Sequence, residues 1–152
     1  PVMEAAAKVL DEFEIPFEIN ALSAHRTPKQ VESFAVNAKS RGIKVIIAGA
    51  GMAAHLPGVV ASMATLPVIG VPINASLDGM DALLAIVQMP PGIPVATVGI
   101  NGAKNAGLLA VQILSTGDDS ISERFFEFKE NLQEKITKAN EELKKTSYRF
   151  KV

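Results

Sequence analysis

Ser23, His25 and Arg26 stand together in the segment Ser23-Ala24-His25-Arg26-Thr27, which follows one apolar run and precedes another of helical spacing. A hydroxyl, an imidazole and a guanidinium on one tight turn suit two kinds of chemistry. The guanidinium of Arg26, with backbone N–H groups at the start of the next helix, can hold a phosphate. Imidazole is the only side chain whose unperturbed pKa, about 6.5, suits proton transfer near neutrality, which makes His25 the candidate general acid or base. The alternative is a surface or capping histidine.

A second candidate loop, Ala48-Gly49-Ala50-Gly51-Met52-Ala53-Ala54-His55-Leu56-Pro57-Gly58, is built of small residues that let backbone approach a ligand closely. Packing of a helix against a sheet explains the same composition, since no full dinucleotide or P-loop fingerprint is present. His55 either contacts ligand or satisfies loop backbone. Asn74, Ser76 and Asp78, and the turn Gln88-Met89-Pro90-Pro91-Gly92, read as ordinary turn chemistry. No Ser/His/Asp set follows from spacing, no H-x-x-x-H pair occurs, and the two histidines lack a third ligand of their own type, so no metal is expected.

These loops need elements to position them. Val2, Ala6, Val9, Leu10 and Phe13 follow helical spacing, with Pro1 in a first turn. Ile15 to Leu22 reads as a strand. Thr27-Pro28-Lys29-Gln30 forms a T-x-x-Q capping box for a helix whose apolar face is Val31, Phe34, Ala35 and Ala38, stopped by Gly42. Lys44–Ala48, Pro67–Val71 and Pro94–Val98 are Val- and Ile-rich runs typical of strands buried on both faces. Helical segments at Leu56–Thr65, Gly79–Gln88 and Ala103–Leu114 alternate with them, which predicts an α/β fold with a parallel sheet and helices on both sides. In such folds ligands bind at the carboxyl ends of the strands, where the candidate loops lie. A second capping box, Ser120-Ile121-Ser122-Glu123, opens a long amphipathic helix through Phe125, Phe128, Leu132, Ile136, Ala139 and Leu143. Its apolar stripe lies on its own domain or on a neighbouring subunit.

Composition narrows the function classes. A chain of 152 residues, 48% hydrophobic, is of a size that folds around one core. Fifteen basic against sixteen acidic residues remove the broad positive footprint of a nucleic-acid binder. Without cysteine there is no disulfide framework, thiolate metal site or thiol nucleophile, and a cytoplasmic protein is the plain expectation. No apolar stretch reaches the ~20 residues that span a bilayer, and the start of the chain lacks the basic residues of a signal peptide, so no membrane association is expected.

Three motifs in order, S-A-H-R-T-P at Ser23–Pro28, A-G-A-G-M-A-A-H-L-P-G at Ala48–Gly58 and I-V-Q-M-P-P-G-I-P-V-A-T-V at Ile86–Val98, closely resemble the N5-carboxyaminoimidazole ribonucleotide mutase family. The resemblance runs nearly to Leu114, and the H-R-T-P form is similar to the mutase class rather than to the related carboxylase class that uses free carbon dioxide. It implies a three-layer flavodoxin-like fold with a long C-terminal helix exchanged with a neighbour. It also implies a homo-octamer with sites between subunits, a small ribonucleotide substrate, and no metal or organic cofactor. By the same resemblance His25 moves the proton, Ser23 and Arg26 bind the ribose phosphate, and Ala50, Gly51, Ala54, His55 and Leu56 line the base and carboxylate site. The family begins with a strand and a G-S-x-S-D phosphate loop, so residues 1–152 are expected to form a single mutase domain lacking those parts. Met52 stands where many members have glycine, and the loop Pro72–Gly79 is one residue shorter than is common. Two other readings share this pattern: a carboxylase of aminoimidazole ribonucleotide, and a non-catalytic nucleotide-binding module in which His25 and Arg26 only grip phosphate.

Overall fold

Three short Val- and Ile-rich runs, each too brief for a helix and bounded by Gly or Pro, satisfy their backbone groups by pairing with one another. In the computed structural model, which describes residues 1–152, they form the parallel strands β1 (Ile46–Gly51), β2 (Val68–Ile73) and β3 (Ala96–Thr97), ordered β1-β2-β3. Ile46 lies opposite Val68, Gly51 opposite Ile73, and Ile69 opposite Ala96. The helices are α1 (Glu4–Glu12), α2 (Pro28–Asn37), α3 (Leu56–Met63), α4 (Met80–Val87), α5 (Ala103–Ser115) and α6 (Asp119–Lys145). Parallel strands need crossovers, and α3 and α4 supply them between β1 and β2 and between β2 and β3.

Side-chain alternation along the strands sorts the core into two halves. Ile46, Ala48 and Val68 face Val31 and Ala35 of α2, Ala38 at its C-cap and Val60 of α3. Ile69 and Val71 face the other way, onto Ala6 of α1 and Ala103, Ala106 and Ala110 of α5. The result is the expected α/β sandwich of helix, sheet and helix. Gly70 lies on the crowded side of β2, where a Cβ would overlap Ile86 Cγ2 and press on Val95 Cγ1, so a glycine there is what lets α4 close on the sheet. Gly49 is similarly constrained on the opposite face by Met3 and Ile73.

Five local expectations are corrected. Ile15–Leu22 is not a strand: β1 pairs with β2 alone, and Pro16 to Leu22 make no backbone–backbone hydrogen bond. Pro16 to Ala21 are exposed and extended, with no strand beside them. Pro1 precedes α1 rather than opening it, its carbonyl accepting from the Glu4 N–H at 3.2 Å in a turn. Thr27 stands at the N-cap of α2 with Pro28 following, but its hydroxyl is turned back on the loop: it donates to the Ser23 carbonyl and accepts from the Ser23 N–H. Pro94–Val98 shrinks to the two residues of β3, with one further bond from the Val98 N–H to the Gly70 carbonyl; Pro94 has no N–H to offer a ladder. The last helix is capped by Asp118, not Ser120.

The Asp118 carboxylate accepts from the Ser120 hydroxyl at 2.7 Å and the Ile121 N–H at 3.1 Å, bonds that hold its carboxyl below the usual range in that order of importance. A charged acceptor at the positive end of a helix outcompetes a neutral hydroxyl. The first part of α6 packs on its own domain through Phe125 and Phe128, whose rings meet Phe13 at 6.0 and 5.6 Å. Beyond Phe128 every residue is exposed, Leu132, Ile136 and Leu143 included. No helix is long and apolar enough to cross a membrane.

Candidate active site

The loops that precede α2 and α3 meet at one end of the molecule. Ser23 and Thr27 close the first into a ring, with the Thr27 N–H donating to the Ser23 carbonyl at 2.9 Å and the Arg26 N–H to the Ser23 hydroxyl at 3.2 Å. This short polar ring turns the His25 and Arg26 side chains outward, and both are exposed. The second loop leaves β1 at Gly51, passes Met52 and Ala54 in left-handed conformations with φ of 55° and 43°, and delivers His55 to the N-cap position of α3. Held this way, His25 Nε2 lies 2.8 Å from His55 Nδ1, with the rings 5.0 Å apart and nearly perpendicular at 83°.

That contact is a hydrogen bond only if one nitrogen carries a proton and the other does not. In that tautomeric arrangement one N–H is shared between two imidazoles at an exposed edge, and rotation of His25 away from His55 frees a donor or an acceptor for another molecule. Arg26, the next residue along the loop, is exposed and forms no ion pair within the chain, although four such pairs exist elsewhere. An imidazole that exchanges protons next to an uncommitted guanidinium is an arrangement that can bind an anionic substrate and move a proton on it.

The sequence model of the AIR carboxylase family matches residues 1–135. The chain belongs to that family. It is 58% identical over 134 residues to an N5-carboxyaminoimidazole ribonucleotide mutase of Pyrococcus abyssi, a match covering 88% of this chain and 77% of the relative. It is 51% identical over 146 residues to the chloroplastic phosphoribosylaminoimidazole carboxylase of Vigna aconitifolia, covering 95% of this chain and 26% of that longer protein. Among solved structures, a crystal structure of Treponema denticola PurE superposes with a TM-score of 0.84 at 31% identity, covering 95% of this chain and 90% of that one.

Within this AIR carboxylase-family chain the other residues singled out by sequence divide by what they touch. Ala54 is buried, its methyl packed with Ala82 and Ile86, and its N–H donates to the Gly51 carbonyl at 3.0 Å. Ala50 packs against the same cluster, while a Cβ at Gly51 would press on Ala75 and the Ile73 carbonyl. The smallness of this loop therefore serves helix–sheet packing as well as any ligand. Leu56 is half-buried against the core beneath α2 and α3.

Spacing along the chain did not reveal that the two histidines touch. They are thirty positions apart on separate loops, and the available signal was that each precedes a helix of the same face. The turn residues also do more than expected. Asn101, at φ 57°, accepts the Asn74 N–H on its side chain at 3.0 Å and donates its own N–H to the Pro72 carbonyl at 2.8 Å, tying the loop after β3 to that after β2. Ser76 donates to the Asp81 carboxylate at the start of α4. Asp78 adopts φ 54° in the turn between them.

Proposed function

We propose that the chain is an isomerase of purine biosynthesis that converts N5-carboxyaminoimidazole ribonucleotide to 4-carboxyaminoimidazole ribonucleotide. The observation that carries this reading is the exposed His25–His55 contact on the loop that also carries the unpaired Arg26, within a chain 58% identical to a relative bearing the mutase name. The reaction is written on the substrate as follows. The bond between the exocyclic nitrogen and its carboxylate breaks, its electron pair staying on nitrogen, and His25 donates a proton there as carbon dioxide departs. The ring carbon then bonds to carbon dioxide, and His25 takes the proton that this carbon loses as aromaticity returns. The proton lent is regained and the electrons balance, so no cofactor or metal is required by the chemistry.

Acid–base help of this kind is typically worth ~10²–10⁴ in rate. Further acceleration comes from keeping carbon dioxide beside the ring, which turns a bimolecular encounter into a local one. Ser23 and Arg26 would hold the ribose phosphate, and Ala50, Gly51, Ala54, His55 and Leu56 would line the base and carboxylate. The chain works as a single mutase domain in the cytoplasm. Residues Leu132, Ile136 and Leu143 at the unpacked end of α6, together with the groove of about 360 Å³ between α5 and α6, support assembly into a homo-octamer. Light scattering checks the assembly: eight chains per particle are expected, and a monomer contradicts it.

The 51% identity to a carboxylase favours a second reading, in which aminoimidazole ribonucleotide and free carbon dioxide are the substrates. Turnover of the two ribonucleotides is compared without ATP, with and without bicarbonate. The mutase converts N5-carboxyaminoimidazole ribonucleotide at a rate bicarbonate does not raise. Turnover of aminoimidazole ribonucleotide alone, and only with bicarbonate, would transfer the assignment to the carboxylase. Binding of either ribonucleotide without turnover would leave a nucleotide-binding module.

A further inference from the structure

The loop that delivers His55 is set against a second loop, the one that leaves β2. A Cβ at Gly51 would lie 3.0 Å from both the Ala75 Cβ and the Ile73 carbonyl oxygen, so the two loops are in direct contact. Beyond Gly51 the backbone passes through left-handed Met52 and Ala54, conformations that persist only where the surroundings impose them. What imposes them is contact: the Ala54 N–H donates to the Gly51 carbonyl at 3.0 Å, and the Ala54 methyl packs on Ala82 of α4. The Ala82 N–H in turn donates to the Asp81 carboxylate, which also accepts from the Ser76 hydroxyl. His55 is the next residue after Ala54, and its place follows from that of residues 74–76.

One side chain fixes residues 74–76 from the far side. β3 pairs with β2 only at Ile69 and Gly70, which leaves the end of β2 without a strand on that edge. Asn101 stands in for one. Its N–H donates to the Pro72 carbonyl at 2.8 Å, and its side-chain oxygen accepts from the Asn74 N–H at 3.0 Å. Those are the two groups, one on each side of Ile73, that a residue of a parallel neighbour would engage, and a side-chain carbonyl here replaces the main-chain one. At φ 57° Asn101 occupies the left-handed region, which asparagine enters more readily than most residues. We infer that Asn101 is a positioning residue for the reaction: it holds the loop after β2 as the floor on which the His55 loop rests, and so keeps His55 within 2.8 Å of His25.

The effect on turnover rests on the mutase reading, whereas the placement of the loop does not, and the test separates them. Asn101→Gly and Asn101→Asp are compared with wild type in the assembled protein. Glycine keeps the left-handed backbone and its N–H but lacks the side-chain acceptor; aspartate keeps an acceptor of the same reach and also tolerates this backbone. Amide hydrogen exchange is followed at Asn74, which bonds to Asn101, and at Ala54, which bonds to Gly51 beside His55. The glycine variant is expected to exchange about tenfold faster at both, the worth of one hydrogen bond. Its kcat falls by about tenfold as the histidines lose their mutual placement. KM moves by less than about threefold, because Ser23 and Arg26 are untouched. The aspartate variant recovers most of both losses. A glycine variant that exchanges like wild type would overturn the inference, as would one that exchanges faster at Asn74 with kcat unchanged, which would make the bond structural only. An aspartate variant as impaired as the glycine one would also overturn it, since the acceptor would then not be what matters. If wild type itself fails to turn over the ribonucleotide the mutase reading falls, and exchange at Ala54 alone decides whether Asn101 sets the His55 loop.

Discussion

His25→Asn lowers kcat for conversion of N5-carboxyaminoimidazole ribonucleotide by about 10²–10⁴, the usual worth of a positioned acid–base group. Asparagine is polar but stops short of the Nε2 position that meets His55, and its amide neither gives up nor takes a proton near neutrality. His25 is exposed and bonds only to His55, so the variant folds as wild type does. Because Ser23 and Arg26 remain, KM changes far less than kcat, the signature of a group used in the transition state rather than in uniform binding. Steady-state kinetics on the two proteins, with matching thermal melts, check this. A variant within about threefold of wild-type kcat would remove His25 from the mechanism.

Ile69→Ala costs about 2–5 kcal/mol of stability, a large share of the ~5–15 kcal/mol typical of a domain. Ile69 is fully buried in the central strand, between Ile47 of β1 and Ala96 of β3 in register, and packs on Ala6 of α1 and Ala103, Ala106 and Ala110 of α5. Those neighbours are already alanines and cannot extend to fill the lost volume. Strands on both sides hold the backbone in place, so the cavity does not collapse. Urea unfolding at a fixed protein concentration gives the difference; a loss below about 1 kcal/mol would mean that the two helices move in to close the gap. An equivalent truncation at exposed Ile19 is expected to leave stability unchanged by the same reasoning.

How much of this was readable beforehand depends on whether a feature is local. The first two Val- and Ile-rich runs, the place though not the length of the third, the α3, α4 and α5 segments and the left-handed Gly42, at φ 87°, are consequences of neighbouring residues and were legible. Ile15–Leu22 has strand-like composition too, but a strand needs a partner edge, and composition says nothing of whether one is present. The caps failed for a different reason. Thr27 and Ser120 each had a competitor for their bonds, the Ser23 backbone in one case and the Asp118 carboxylate in the other, and a capping pattern does not rank competitors. The His25 loop was visible as a dense cluster of reactive types. Its pairing with His55 was not, because it is set by α2 and α3 packing side by side on one face of the sheet. Nor did the small residues of Ala48–Ala54 divide by inspection into those that pack and those that face outward.

The central claim is that carbon dioxide released from nitrogen is recaptured by carbon on the same molecule, with His25 carrying the proton. Substrate labelled with carbon-13 in the transferred carboxylate, converted in the presence of excess unlabelled bicarbonate, tests this most directly. The account predicts that 4-carboxyaminoimidazole ribonucleotide retains the label. Product carrying mainly unlabelled carboxylate would contradict it, because the carbon dioxide would then have come from solution.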